Sequence, residues 1–284
     1  VPSAPLRGAF VYCLNTSTIR AHNLGLAKEL EITAKAGFRA VEIWVDTLQT
    51  FLEKGGTTAQ VRRLLGDLGL TVENAIGFAP WIVDDDAVRA KGLDQLKREM
   101  ELLAQIGCRR TAAPPIGAHQ SNDPKLDLKR VAERYRTILE LGGQTGVVPQ
   151  LELWGFAQNL SRLSEVMYVA TECGHPAARV LLDVYHLYKG GSGVDALPLV
   201  GKPGVEIFHV NDYPAHLTPA AITDADRVYP GNGVAPLARI AQAIRNPDRP
   251  VVLSFEVFNK TYYAQDPLLV ARTALQKMKA AFGK

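Results

Sequence analysis

Eight short apolar runs, each followed by a longer amphipathic stretch, are the feature that most restricts how this chain can fold. The runs are "GAFVYC" (Gly8 to Cys13), "AVEIW" (Ala40 to Trp44), "TVENAI" (Thr71 to Ile76), "RRTAAPP" (Arg109 to Pro115), "VVPQLELW" (Val147 to Trp154), "ARVLLDV" (Ala178 to Val184), "VEIFHVND" (Val205 to Asp212) and "VVLSFEVF" (Val251 to Phe258). Their length and β-branched content predict strands. Between them stand helical patterns such as "LAKELEITAKAGF", "TAQVRRLLGDLGL" and "LKRVAERYRTILELGGQTG", several ending on the glycine that suits a helix C-terminus. Strand and helix alternating in this way predict a parallel α/β fold. Eight repeats favour closure into a (β/α)8 TIM barrel, formed by residues 1–284 as a single domain. An open doubly wound sheet is the alternative. Its usual dinucleotide site has no support, because "CLNTSTIR" after the first run lacks G-x-G-x-x-G.

A 284-residue chain that is 47% hydrophobic can bury a full core. The net charge of +3 is small and the basic residues are scattered, so neither a nucleic-acid partner nor a membrane surface is expected. Cys13, Cys108 and Cys173 form no C-x-x-C pair and are expected as reduced packing residues. No stretch reaches the roughly 20 apolar residues of a membrane span. The chain opens on Val1 without methionine, which suggests upstream trimming; the cytoplasm is the expected compartment, with export left open. The expected partner is a small molecule, with a homo-oligomer also compatible.

In such a barrel, chemistry sits at the C-terminal ends of the strands. Four polar residues close apolar runs there: Glu152 in "PQLE", Asp183 in "VLLD", His209 in "EIFH" and Glu256 in "LSFE". Each is predicted to be buried, where an ionised carboxylate needs a partner or a metal. Their convergence from four successive strands predicts an oxygen-rich divalent site. It suits Mn²⁺, Co²⁺ or Mg²⁺, and Zn²⁺ is also admitted. Any one of them taken alone could equally be an ion-paired strand end. His186, three residues after Asp183, can lean over the same mouth or bond backbone. Arg227 lies in "DADRVYPGNG", where Pro230, Gly231 and Gly233 stiffen the loop; it can hold a substrate oxygen or pair with Asp224 or Asp226 at the surface. Glu42 is expected to orient a site group or pair with a barrel charge. Trp44, Trp81 and Trp154 are candidates for an apolar wall, ordinary core packing being expected of at least one. His119 is a weaker candidate.

The runs "LLDVYH", "FHVND", "DADRVYPGNG" and "SFEVFN" together resemble the xylose-isomerase-like sugar isomerase and epimerase superfamily, most closely its inosose isomerases. The resemblance implies metal ligation by Glu152, Asp183, His209 and Glu256, with substrate contacts from His186 and Arg227. It implies isomerisation or epimerisation of a sugar or inosose by proton transfer through a cis-enediolate, with Glu152 and Glu256 as the catalytic carboxylates. Trp154 and Glu42 are further expected substrate contacts. Many superfamily members carry an acidic residue where Asn232 stands. A metal-dependent dehydratase of a cyclic keto-polyol such as inosose or dehydroshikimate is the alternative within the same framework, and a non-catalytic sugar-binding barrel lies outside it.

Overall fold

The computed structural model describes residues 9–283; the terminal "VPSAPLRG", including the Gly8 expected to open the first strand, lies outside them. The strands are β1 (Phe10–Asn15), β2 (Ala40–Trp44), β3 (Thr71–Ile76), β4 (Arg110–Ala113), β5 (Val148–Glu152), β6 (Val180–Asp183), β7 (Ile207–Val210) and β8 (Val251–Phe255). The helices are α1 (Leu26–Ala36), α2 (Val45–Glu53), α3 (Thr58–Leu68), α4 (Asp86–Gln105), α5 (Leu128–Thr145), α6 (Leu163–Glu172), α7 (Val184–Lys189), α8 (Leu237–Ile244), α9 (Lys260–Tyr263) and α10 (Pro267–Phe282). β2 and β3 have the expected bounds. Most of the others are shorter than their apolar runs, because the chain leaves the ladder to build loops that carry the site. β1 instead runs on to Asn15.

All paired strands are parallel, in the order β3-β2-β1-β8-β7-β6-β5-β4. The sheet curls into a TIM barrel whose remaining seam, β3 against β4, is bridged by side chains: Thr111 Oγ1 donates to the Ala75 carbonyl (3.3 Å) and Arg110 Nη1 to the Glu73 carbonyl (3.1 Å). Helices such as α3 start on a capping box, Thr57 with Gln60, and α5 ends on Gly146 in a left-handed conformation.

The period of two along each strand sorts the barrel interior into layers. Cys13, Ala40, Leu181, Ile207 and Val252 form a small buried apolar cluster. Two residues further along the same strands stand Asn15, Glu42, Asp183, His209 and Ser254, all buried. A hydrophobic plug thus supports a polar layer at the C-terminal end. Parallel register sets neighbours within that layer: Asn15 lies beside Glu42, Glu42 beside Asn74, Asp183 beside His209 and His209 beside Ser254. Among the described residues no helix is long and apolar enough to cross a membrane, and the three cysteines are free and buried.

Candidate active site

β6 ends at Asp183 because its carboxylate caps the helix that follows: Oδ1 accepts the amide N–H of Tyr185 (2.6 Å) and of His186 (3.2 Å). Cap and register together bring Asp183 Oδ2 to 3.7 Å from His209 Nδ1. Glu256, one residue past β8, brings Oε2 to 3.2 Å from the same nitrogen. Donor atoms of Asp183, His209 and Glu256 all lie within 4.8 Å of one another. Glu152 is outside that cluster but lines the same cavity.

Glu42, on β2, does not line the cavity; it lies fully buried in the polar layer. One carboxylate oxygen accepts from His209 Nε2 (2.9 Å) and Asn74 Nδ2 (2.7 Å), the other from Asn15 Nδ2 (2.9 Å) and the Ser254 hydroxyl. Its position joins the two roles expected for it, orienting His209 and pairing with that imidazole's charge, and gives it no direct contact with the cavity. With Nε2 directed at Glu42, Nδ1 faces Asp183 and Glu256 and offers a lone pair there once its proton is displaced. Nδ1 is buried with no hydrogen-bond partner, as is Glu152 Oε2. Buried polar atoms are almost always satisfied. Four buried carboxylates, Glu42, Glu152, Asp183 and Glu256, face one guanidinium and two imidazoles here, of which His186 is neutral. The orphaned donors and this excess of negative charge fit a divalent cation held by mixed oxygen and nitrogen ligands.

Arg227 lines the cavity and pairs with Asp224, one of the two surface partners expected as alternatives for it. Only 1% exposed, it reaches down into the polar layer, where Nη1 donates to Asp183 Oδ2 (3.1 Å) and Glu256 Oε2 (2.8 Å). Nη2 donates to Asp224 and lies 3.3 Å from His186 Nε2. The plane sits over Tyr185, 4.3 Å from its centroid. Its loop is pinned by Asp212, whose carboxylate accepts the amides of Tyr213, Gly231 and Ala235, and whose backbone bridges Val228 in both directions. Any side chain at Gly233 would collide with Asp212, so this turn requires glycine.

His186 sits at the start of α7 and lines the cavity. The Gly155 amide donates to its Nδ1 (3.1 Å) and Arg227 Nη2 stands 3.3 Å from its Nε2; both neighbours are donors, and a neutral ring accepts from one of them only. Gly155 is itself packed so close to the His186 carbonyl that no Cβ fits.

These environments drive the titratable groups apart. Burial raises Glu152 to about 8, Glu256 nearby adding to the rise and His209 opposing it. Burial also works to raise Glu256, yet His209 and Arg227 outweigh it and hold that carboxyl well below the usual range. Burial raises Asp183 despite Arg227. Burial and Arg227 keep His186 neutral, its pKa well below the ordinary value. Burial would lower His209 as well, but Glu256 and Glu42 overcome it and raise the imidazole well above its ordinary value.

Above this layer is a cavity of about 280 Å³ lined by Glu152, His186, Asp224, Arg227 and Glu256 on its polar side. Trp44 and Trp154 line it too, joined by Phe78, Phe156 and Phe258. Trp81 does not: it is buried against Tyr135, with its indole N–H on the Pro114 carbonyl. His119 packs edge-on against Trp154, 5.5 Å between centroids, and does not line the cavity. Reading the strand ends alone misses Asn15, Asn74, Asn211, Asp212 and Ser254: Asn74 and Ser254 lie inside predicted runs, Asn211 and Asp212 close one and Asn15 follows one; Asn211 Nδ2, for one, donates to Asp183 Oδ1 (3.1 Å).

Residues 30–281 match the family described as the xylose isomerase-like TIM barrel. The chain belongs to that family. Among relatives of this xylose isomerase-like barrel, an inosose isomerase of Bacillus velezensis is 24% identical over 279 residues, covering 96% of this chain and 97% of the relative. A 3-dehydroshikimate dehydratase of Pseudomonas putida is 26% identical over 245 residues, 84% of this chain. The chain spans only 37% of the dehydratase's length. The solved structure of the IolI protein with a binding zinc atom shares the fold, with a TM-score of 0.86 at 20% identity over 96% of this chain and 98% of that one.

Proposed function

We propose that this protein is a divalent-metal-dependent isomerase or epimerase that moves a proton at the carbons beside a ketone, acting on a sugar or inosose. The observation that carries this reading is a pair of partnerless buried atoms with lone pairs for a cation, His209 Nδ1 and Glu152 Oε2, beside Asp183 and Glu256, beneath a cavity that Glu152 and Glu256 line. Asp183, His209, Glu256 and Glu152 are the residues that would hold the cation, which when bound supplies Lewis-acid polarisation of a carbonyl. A zinc-bound structural neighbour and inosose isomerase relatives support the assignment.

Within the chain the carboxylates divide the work. Glu256 is fully engaged: Asn15 donates to Oε1 (3.1 Å) and Arg227 to Oε2, so it stays anionic and fixed. Glu152 lines the cavity with one carboxylate oxygen free of hydrogen bonds; if one oxygen holds the cation, the other faces the substrate as the general base that takes a proton from carbon and returns it. Neutral His186 lines the cavity where it can meet a substrate oxygen, and Arg227 and Asp212 keep the loop over the site in one arrangement. A second reading, loss of water from a cyclic keto-polyol after the same proton abstraction, is favoured by the dehydratase relative.

Deuterium exchange tests the reading. Metal-loaded protein in D₂O should wash solvent deuterium into a carbon beside the ketone of an inosose or ketose, and Glu152→Gln should lose this activity by about 100-fold or more. Exchange that persists in Glu152→Gln would remove Glu152 from the base role.

A further inference from the structure

Five aromatic rings and one imidazole form a continuous belt around the cavity. Phe258 lies 6.2 Å from Trp44, Trp44 5.3 Å from Phe78, Phe78 6.2 Å from Trp154 and Trp154 5.3 Å from Phe156, this last pair stacked. The His186 ring, 5.6 Å from Phe156, completes the run. The belt offers almost nothing to a hydroxyl. The Trp44 indole N–H is already given to Asn15 Oδ1 (3.0 Å), and that of Trp154 to the Glu152 carboxyl. Ile76 and Ala225 add further apolar lining. Phe156 is 40% exposed at the rim, one of the few large apolar side chains left in water among the described residues.

The charges are equally restrictive. Arg227 is the only lysine or arginine among the described residues lining the cavity, and both its terminal nitrogens are taken by Asp183, Glu256 and Asp224. The donor left over is Nε–H, which is closed off from solvent. One such donor serves a neutral oxygen; it cannot provide the two-pronged fork that a carboxylate or phosphate takes. Glu152, Glu256 and the half-exposed Asp224 face inward around it.

We infer that the substrate of the proposed proton transfer is not a fully hydroxylated sugar or inosose but an uncharged, ring-shaped vicinal hydroxyketone whose part remote from the cation site is apolar. Its oxygen pair faces Glu152, His186 and Arg227, and its ring faces lie against Trp44, Phe78 and Trp154. An apolar substituent extends onto Trp154 and Phe156. Sugar phosphates and ring carboxylates are disfavoured, because no lining lysine or arginine among the described residues is free to pair with an anion remote from the cation site. Open-chain polyols are disfavoured because each hydroxyl buried against the belt without a partner costs roughly tenfold in affinity. A cavity of about 280 Å³ holds one ring with a short extension. This inference rests on the proton-transfer reading of the same site.

Binding and chemistry separate in the test. The Zn²⁺-loaded protein is titrated by tryptophan fluorescence with 2-hydroxycyclohexanone, D-fructose, D-fructose 6-phosphate and 3-dehydroshikimate at one ionic strength, and the same mixtures in D₂O are followed by NMR. The expected result is at least tenfold tighter binding of 2-hydroxycyclohexanone than of either anion or of fructose. Phe156→Ala, a truncation at the exposed rim, should weaken the ring ligand about three- to tenfold. Equal or tighter binding of fructose 6-phosphate, dehydroshikimate or fructose overturns the inference, as does no binding of the ring ketone. Ring-ketone binding without deuterium exchange leaves the substrate class standing and removes the proton-transfer reading.

Discussion

Replacing Glu42 by Gln should weaken divalent-metal binding 10- to 100-fold although Glu42 is not itself a proposed ligand. The carboxylate accepts four hydrogen bonds, from His209, Asn74, Asn15 and Ser254. A glutamine of the same shape keeps one oxygen and turns its NH₂ toward two donors, of which only the Ser254 hydroxyl can rotate to accept. At least one hydrogen bond to a charged group is lost, about 2 kcal/mol. So is the negative charge that raises the basicity of His209 Nδ1. Loss of a carboxylate partner behind a metal-ligating histidine typically costs one to two powers of ten in affinity, about 1.4 to 2.7 kcal/mol. An opposing effect sets the pH dependence. Glu42 and Glu256 hold His209 protonated well above its ordinary pKa, so a metal must displace that proton. Without the Glu42 charge the proton leaves more easily, and the variant's affinity should fall less steeply as pH drops. The gap between the two proteins should therefore be widest near about pH 8.5 and narrow toward about pH 6. Calorimetric titration with Zn²⁺ at both pH values, in two buffers of different ionisation enthalpy, reads affinity and proton release together. A difference under threefold at the higher pH, with proton release unchanged, would refute the assignment of Glu42 as the group that orients His209.

Two further outcomes follow from buried charge. Arg227→Met leaves Asp183 and Glu256 facing each other without their shared cation, and should cost about 3–5 kcal/mol in metal-free protein, roughly 10 °C in Tm. Added Zn²⁺ should recover more than half of this in differential scanning fluorimetry; an equal loss with and without metal would contradict the shared charge balance. Away from the site, Glu29 is 3% exposed with Oε2 unpartnered, and burial pushes its carboxyl up to about 7 from an ordinary 4.5. A raised carboxyl binds its proton more tightly folded than unfolded, so the contribution is full below about pH 4.5 and is lost as pH rises toward 7. Glu29→Gln should thus match the parent near pH 4.5 and exceed it by about 3 kcal/mol at about pH 8, measured by urea unfolding. A pH-independent difference would show that the carboxyl is hydrated after all.

The family resemblance and the strand-end carboxylates were legible because both arise from local order. A buried parallel strand has to be apolar, so a Glu, Asp or His closing such a run, as in "VLLD" or "EIFH", stands out against it. The same logic explains what was overlooked. Asn15, Asn74 and Ser254 are ordinary polar residues in sequence, and become parts of the Glu42 network only through the register that sets β1, β2, β3, β7 and β8 side by side. Arg227 was visible as a stiffened loop arginine, but its direction was not. Whether it reached outward to a ligand or inward to Asp183, 44 residues earlier, depended on the Asp212 anchor and the depth of the polar layer. The aromatic belt is the clearest case. Trp44 and Trp154 stood out as strand-end candidates for an apolar wall, but Phe78, Phe156 and Phe258 lie in loops after β3, β5 and β8, and no spacing in the chain joins them to Trp44 at the end of β2. Sequence alone determined the repeating unit and which residues would be costly to bury unpaired, since both depend on neighbours along the chain. The tertiary structure decided which of those residues share a cavity and what remains free for a substrate, because barrel closure brings together side chains that only distance in space, not distance in sequence, can relate.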